Sequence, residues 1–391
     1  MTRKITYLLL AILAIFVLPF VGAWLYYDGV FPPGFFAYPP LKPIEKAPFS
    51  LPVFILIALA SVGVAAVYLF PQWFGFKKVP LPEQPEQPKV GYPLWFWLGL
   101  VAWLGTLILL WSKARQPLWY LHWSDLPLFW GFIFFLDGIV YKRNGGRSLI
   151  GEVPQEVVGI GLCSTLGWML FEYLNFFVDD NWFYPNGGII SSEQFLLYAI
   201  IISSGLLTMA FEWYSLFTSF PALRQRFSQG IKIILPEWVK NVCLLLALGG
   251  LFGSGLLPDT LFFSLWLAPP LLLAVALDKI GVWTPLRPIG QGNWTPTLLF
   301  SLTYLVQGLC LECQNYFSGT HDADGNLIFS EAPAYWVYSL PYVQTAKIFE
   351  MPVLGYLGYL PFGLYCWIWW ITTATLLGIP SKFYREHPFH S

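Results

Sequence analysis

Apolar and aromatic residues run along this chain in long strings, each close to the length a membrane-spanning helix needs, roughly 17–25 residues. About ten strings qualify, at approximately 5–27, 51–74, 93–112, 125–141, 156–178, 194–218, 238–256, 260–277, 294–316 and 352–373. The fourth is the shortest and reaches a comfortable length only if Trp119 to Trp123 dip into the interface. The pattern predicts an all-α fold, a polytopic transmembrane helical bundle. The first string ends in Trp24, Tyr26 and Tyr27. It exceeds the apolar core of a signal peptide, about 7–15 residues, so a retained first span is expected.

Two intervening stretches are rich in proline. Residues 28–50 hold Pro32, Pro33, Pro39, Pro40, Pro43 and Pro48 and read as an extended outer loop. Residues 77–89 hold Pro80, Pro82, Pro85 and Pro88 among mixed charges, a linker with polyproline character. The expected organisation is a two-span N-terminal hairpin (1–76), a Pro-rich cytoplasmic linker (77–93) and an eight-span body (94–391).

Composition agrees with the pattern. Of 391 residues, 57% are hydrophobic and 11% charged, against about 25% charged in soluble domains. With 20 Trp and 21 Tyr, many membrane–water interfaces can carry an aromatic belt. A net charge of −1 leaves no basic face for nucleic acid. Expected partners are membrane lipids, an apolar small molecule or a membrane protein complex.

Basic residues fix the expected orientation. Arg3 and Lys4, Lys77 and Lys78, Lys142, Arg143 and Arg147, Arg224 and Arg226, Lys279 and Arg287, and Lys382 and Arg385 all fall on one side of a ten-span chain. Only Lys42, Lys46, Lys113, Arg115 and Lys347 fall on the other. The positive-inside rule then puts both termini in the cytoplasm of a bacterial inner membrane.

Redox and metal chemistry find little support, and no cofactor is expected. Cys163, Cys243, Cys310, Cys313 and Cys366 lie in or beside apolar strings, which argues against a secreted disulfide framework. Cys310 and Cys313 form a Cys-x-x-Cys inside a span and read as core cysteines. His122, His321, His387 and His390 all lie outside span interiors, so haem ligation is disfavoured. Residues 319–326 lack a full calcium-loop pattern, and Asp324-Gly325 predicts a hairpin turn.

The candidate chemistry lies in buried acids. Glu172, Glu212, Glu312 and Glu350 interrupt apolar strings, where a charge costs about 2.5–3.5 kcal/mol on insertion scales. Glu172 and Asn175 share a helix face, as do Glu312 and Asn315. These faces could meet under the outer surface with Glu350 and with Asp125, in a polar pocket where crowded acids keep a proton. An aromatic segment from Ala334 to Tyr342, containing Trp336, would cap it. Glu172, Glu312 and Glu350 are the catalytic candidates. Asn175, Asn315, Glu212, Asp125 and Trp336 are the binding candidates. The shared Glu-x-x-Asn-aromatic-Phe of 172–177 and 312–317 suggests an internal duplication of the last eight spans.

The run Glu350-Met-Pro-Val-Leu-Gly355-Tyr-Leu-Gly358-Tyr-Leu-Pro361-Phe362, with Pro127 to Phe132 before Asp137-Gly138, resembles a family of polytopic bacterial membrane proteins without established activity. That likeness covers the eight-span body and implies no catalytic residue. Acids at helix ends around aromatic-flanked loops are also similar to membrane-embedded lycopene cyclases and carotenoid hydratases, which add a proton to a polyene. Their Pro-x-Glu signature with a second acid is missing here. Three functional readings follow: a protein that binds or acts on a long apolar ligand, isoprenoid- or quinone-like; a proton-coupled transporter or channel; and a non-catalytic subunit of a membrane complex.

Overall fold

The computed structural model describes residues 2–42, 48–81, 87–179 and 181–385. Pro43, Lys46, Pro82, Pro85, His387 and His390 lie outside the described residues. Eleven helices carry the architecture: α1 (Thr2–Tyr26), α2 (Leu51–Leu69), α3 (Leu94–Trp111), α4 (Asp125–Arg143), α5 (Pro154–Asn175), α6 (Ser192–Ile202), α7 (Ser204–Thr218), α8 (Glu237–Leu256), α9 (Ser264–Lys279), α10 (Thr295–Ser318) and α11 (Tyr359–Leu377).

Eight helical segments among the described residues are long and apolar enough to cross a membrane: Lys4–Tyr26, Leu51–Leu69, Leu94–Trp111, Pro154–Val178, Ser192–Thr218, Glu237–Leu256, Thr295–Ser318 and Val353–Leu377. The chain is a multi-pass membrane protein built as a helical bundle. The other two expected spans are also helical. One is α4, which carries Asp125, Asp137, Lys142 and Arg143. The other is α9, only 16 residues long.

Helices α5, α7, α10 and α11 make the centre of the bundle. Trp367, Trp370 and Tyr365 on α11 are fully buried there; Tyr365 packs on Phe171, and Trp367 on Phe211 and Phe300. The pairings repeat. Helix α3 packs on α4, and α8 packs on α9. Helix α4 packs on α7, and α9 on α11. Helix α5 packs on α7, and α10 on α11. Finally α7 packs on α10, and α11 on α5.

The two N-terminal helices behave differently. Helix α1 buries Leu8, Ala11, Ile15 and Ala23 against α8 and α9. The approach is backbone to backbone: a Cβ on Gly255 would lie 2.1 Å from the Pro19 carbonyl oxygen. Helix α2 has no buried residue. It is pinned at its C-terminal end, where the Tyr68 hydroxyl donates to Leu298 O (2.9 Å) and Arg226 donates to Tyr68 O and Leu69 O.

The sixth expected span, 194–218, is broken between α6 and α7 at Ser203. The Ser164 hydroxyl on α5 donates to Ser203 O and accepts from Leu207 N (3.0 Å). It thereby satisfies backbone groups that the break leaves without helical partners. A capping box of Ser191 and Gln194 starts α6.

Short strands sit at one end of the bundle: β1 (Trp182–Phe183), β2 (Thr320–His321), β3 (Leu327–Phe329), β4 (Val337–Tyr338), β5 (Lys347–Ile348) and β6 (Met351–Pro352). All three pairs are antiparallel: β1 with β4, β2 with β3, and β5 with β6. The β2–β3 hairpin turns through Gly325 at φ +83°, as Asp324-Gly325 predicts.

Candidate functional site

Each Glu-x-x-Asn pair builds a small structure at its helix end. Asn175 is the last residue of α5. Its Oδ1 accepts from Asn181 N (2.8 Å), and its Nδ2 donates to Trp182 O (3.0 Å). Asp179, at φ +54°, turns the chain back between them. The returning strand delivers two donors one turn deeper: Trp182 Nε1 (3.2 Å) and the Tyr184 hydroxyl both donate to Glu172 Oε1.

The second structure follows the same plan. Asn315 Oδ1 accepts from Trp336 N (3.2 Å), and its Nδ2 donates to Trp336 O (2.9 Å). Glu312 Oε1 accepts from Trp336 Nε1 (3.1 Å) and from the Tyr338 hydroxyl (2.7 Å). It has a third donor, the Tyr359 hydroxyl at the start of α11 (2.7 Å). Glu312 Oε2 is buried and accepts nothing from the described residues. Pairing of β1 with β4 sets Trp182 opposite Tyr338 and Phe183 opposite Val337, which joins the two structures directly.

Together they border a cavity of 1180 Å³, beyond the roughly 300–1,000 Å³ of drug-sized sites. Val53, Leu56, Ile57 and Val64 of α2 form one side. Asn181, Trp182, Tyr184, Trp336, Tyr338 and Tyr359 supply its polar edge. Glu172 and Glu312 stand behind these aromatic residues and do not line it. The Tyr184 and Tyr338 phenols sit well above their ordinary range, first because they are buried and then because Glu172 and Glu312 face them.

Of the remaining candidates, Asp125 reaches the cavity, whereas Glu350 and Glu212 do not line it. Glu350 has a cluster of its own: it accepts from the Tyr335 hydroxyl (2.5 Å), with His321 Nε2 at 3.4 Å and Lys347 Nζ at 3.6 Å. Asp125 accepts from the Tyr198 hydroxyl and, like Trp336, lines the large cavity. It shares a void of about 10 Å³ with Gln314 and Trp336, close to the smallest that holds one water. Glu212 is fully buried between α7 and α4 with its carboxyl facing Asp137. Asp137 accepts from Trp95 Nε1 (2.8 Å), Ser148 Oγ (2.9 Å) and Ile150 N (2.9 Å). Cys310 and Cys313 are half-buried, not core residues, because their flank of α10 turns away from the bundle centre. Among the described residues no group of three or more His, Cys, Asp or Glu is placed to hold a metal ion.

The residues that sequence reasoning missed are the donors: Trp182, Tyr184, Tyr338, Tyr359 and Asn181. One signal was available. Trp-x-Tyr occurs after each Glu-x-x-Asn, as Trp182-Phe-Tyr184 and Trp336-Val-Tyr338. Its first residue lies 7 positions after Asn175 but 21 after Asn315, so a fixed-spacing comparison does not align them. No protein-family model, no curated protein and no solved structure matches this chain. The functional reading therefore rests on the geometry.

Proposed function

We propose that this protein holds a long apolar molecule, isoprenoid- or quinone-like, in the cavity between α2 and the bundle, with the two acid–aromatic structures at its polar edge. The carrying observation is the cavity itself: 1180 Å³, apolar along α2, and bordered by tyrosines whose hydroxyl protons go to buried carboxylates. In this reading Glu172 and Glu312 act through Tyr184, Tyr338 and Tyr359, fixing where those hydroxyls point. Asn175 and Asn315 anchor the strands that carry them. The protein resides in a bacterial inner membrane, with α4 and α9 completing ten spans and both termini cytoplasmic. The last eight spans descend from a duplication in which α3, α4, α5 and α7 correspond to α8, α9, α10 and α11. The repeated helix pairings and the repeated Glu-x-x-Asn…Trp-x-Tyr support this.

Organic extraction of the purified protein followed by mass spectrometry tests the occupant. Wild type should yield a long-chain lipid in near-stoichiometric amount. Ile57→Trp and Val64→Trp, on the cavity face of a helix with no buried residue, should lose it without lowering the melting temperature. Equal recovery from wild type and both variants would sink the reading. Topology reporters after Lys78 and within 320–326 should report opposite sides, the first cytoplasmic.

A second reading, proton-coupled transport, draws on a different observation. Thr303, Gln307 and Gln314 follow one face of α10, and Thr303 Oγ1, Gln307 Oε1 and Gln314 Oε1 are buried without a partner. The row leads from the neighbourhood of Asp125 towards α7, where neither Glu212 oxygen accepts a hydrogen bond. Two facing carboxyl groups can bond only by sharing a proton. Proteoliposomes loaded with a pH-sensitive dye should show proton flux that Glu212→Gln abolishes. No flux in wild type rejects this reading.

A further inference from the structure

Granting that the cavity takes a long apolar chain, we infer that the chain ends in a neutral hydroxyl group, and that the Asn181 carboxamide receives it. The occupant is a free long-chain alcohol, not its phosphate, a quinone or a fatty acid.

Asn181 is 1% exposed, yet neither its Nδ2 nor its Oδ1 has a hydrogen-bond partner among the described residues. Leaving such groups unpaired costs about 1–3 kcal/mol each, so a buried orphan of this kind asks for an explanation. The side chain lines the cavity. Its backbone is fixed on both sides: Asn181 N donates to Asn175 Oδ1, and Asn181 O accepts from Ser339 N (2.9 Å) beside Tyr338. The amide is thus held at the cavity edge by both acid–aromatic structures, and no hydrogen bond among the described residues uses it.

The chemistry of the edge selects the head group. A carboxamide offers donors and acceptors together. The neighbouring phenols add acceptors only, because the Tyr338 and Tyr359 protons are committed to Glu312 Oε1. A quinone carries acceptors alone and would leave Asn181 Oδ1 unpaired. An ammonium carries donors alone and would leave Nδ2 unpaired. Among the described residues no Lys or Arg lines the cavity, so a phosphate finds no counter-charge there. A carboxylate would meet Asp125 in the cavity lining and would face Glu172 and Glu312 across one layer of aromatic rings. A hydroxyl brings one donor and two acceptors without charge and satisfies both atoms of the amide.

Binding measured on the full-length protein in micelles tests this with four probes: farnesol, farnesyl phosphate, decylubiquinone and the parent hydrocarbon farnesane. Wild type should bind farnesol about tenfold or more tightly than the other three, as expected when a buried polar group is satisfied by one ligand only. Asn181→Leu should abolish that advantage and leave farnesane binding unchanged. Asn181→Asp, which keeps the size but loses the donor, should weaken farnesol likewise and serves if the leucine variant does not fold. Preference for the quinone or the phosphate overturns the inference, as does farnesol binding that is the same in wild type and variant. Either result leaves the cavity reading standing if farnesane binding is lost in Ile57→Trp. Failure of all four probes to bind wild type overturns both.

Discussion

The Glu172 and Glu312 structures share four residue types in the same roles, and their differences are informative. In the first, two described donors reach the carboxylate, Trp182 Nε1 and the Tyr184 hydroxyl, and the indole also lies 3.1 Å from the Tyr184 hydroxyl oxygen. In the second, three donors converge on one oxygen, and one of these, Tyr359, belongs to another helix. The first closes a tight return of a few residues. The second spans a long excursion that carries the β2–β3 hairpin and His321. The first is thus a local device that ends a helix. The second is a tertiary clamp that ties α10, β4 and α11 together.

The comparison breaks or holds first at the carboxylates. Glu312→Ala should destabilise by about 3–5 kcal/mol, since three buried donors at about 1–3 kcal/mol each lose their acceptor and relax only in part. Glu172→Ala should cost about 1–3 kcal/mol, because Trp182 keeps Tyr184. Denaturant unfolding in mixed micelles measures both. Equal losses would mean that Tyr359 adds nothing and that the two structures are energetically one device. Glu312→Gln keeps an acceptor at Oε1 and should lose no more than about 1–2 kcal/mol.

The anchoring asparagines come next. Asn175→Ala and Asn315→Ala each remove at least the two described hydrogen bonds to backbone, a loss of about 1–3 kcal/mol. They should differ in what loosens. Limited proteolysis should speed up within 320–330 for Asn315→Ala, where the long excursion hangs on that side chain. The tight return of residues 176–179 should stay resistant in Asn175→Ala. Unchanged cleavage at the hairpin would remove Asn315 as its anchor.

Indole replacement should have a smaller effect. Trp336→Phe removes a donor with no second partner and should cost about 1 kcal/mol more than Trp182→Phe. Reversal of that order would show that Trp182 bonds Glu172 more strongly than its geometry suggests.

At neutral pH the phenols reveal nothing, and their effect appears only in alkali. Tyr184 and Tyr338 are both held above the free phenol value, by burial first and then by the facing glutamate, with Tyr359 partly relieving Tyr338. A raised folded value means that the folded state keeps its proton longer. The contribution is therefore complete below about pH 10 and is lost as pH rises through the folded values. Phenolate absorbance should show neither tyrosine ionising at pH 10 before unfolding begins. Ionisation of either one in the folded protein at that pH would contradict its burial.

The sequence alone determined the solvent. Strings of about 20 apolar residues can satisfy their backbone in lipid only as helices, and eight such helical segments are present. It also determined that Glu172 and Asn175, and Glu312 and Asn315, would share helix faces, since three-residue spacing enforces that. The Asp324-Gly325 hairpin was equally local, a matter of backbone chemistry at one position.

Tertiary structure decided everything that depends on who meets whom. Glu350 lies near the same end of the bundle as Glu312, but Tyr335, His321 and Lys347 hold it in another cluster. Helices α1 and α2 are both strongly apolar, yet α1 meets α8 backbone to backbone at Gly22 and Gly255, while a Cβ on Gly63 of α2 would touch nothing and α2 stands apart as the wall of a cavity. What differs is close approach between residues far apart in the chain, such as Gly255 against Pro19. The two acid–aromatic structures are another instance. Their partners lie 7 and 21 residues along, because a hydrogen bond constrains distance in space and is indifferent to the length of chain that returns to make it.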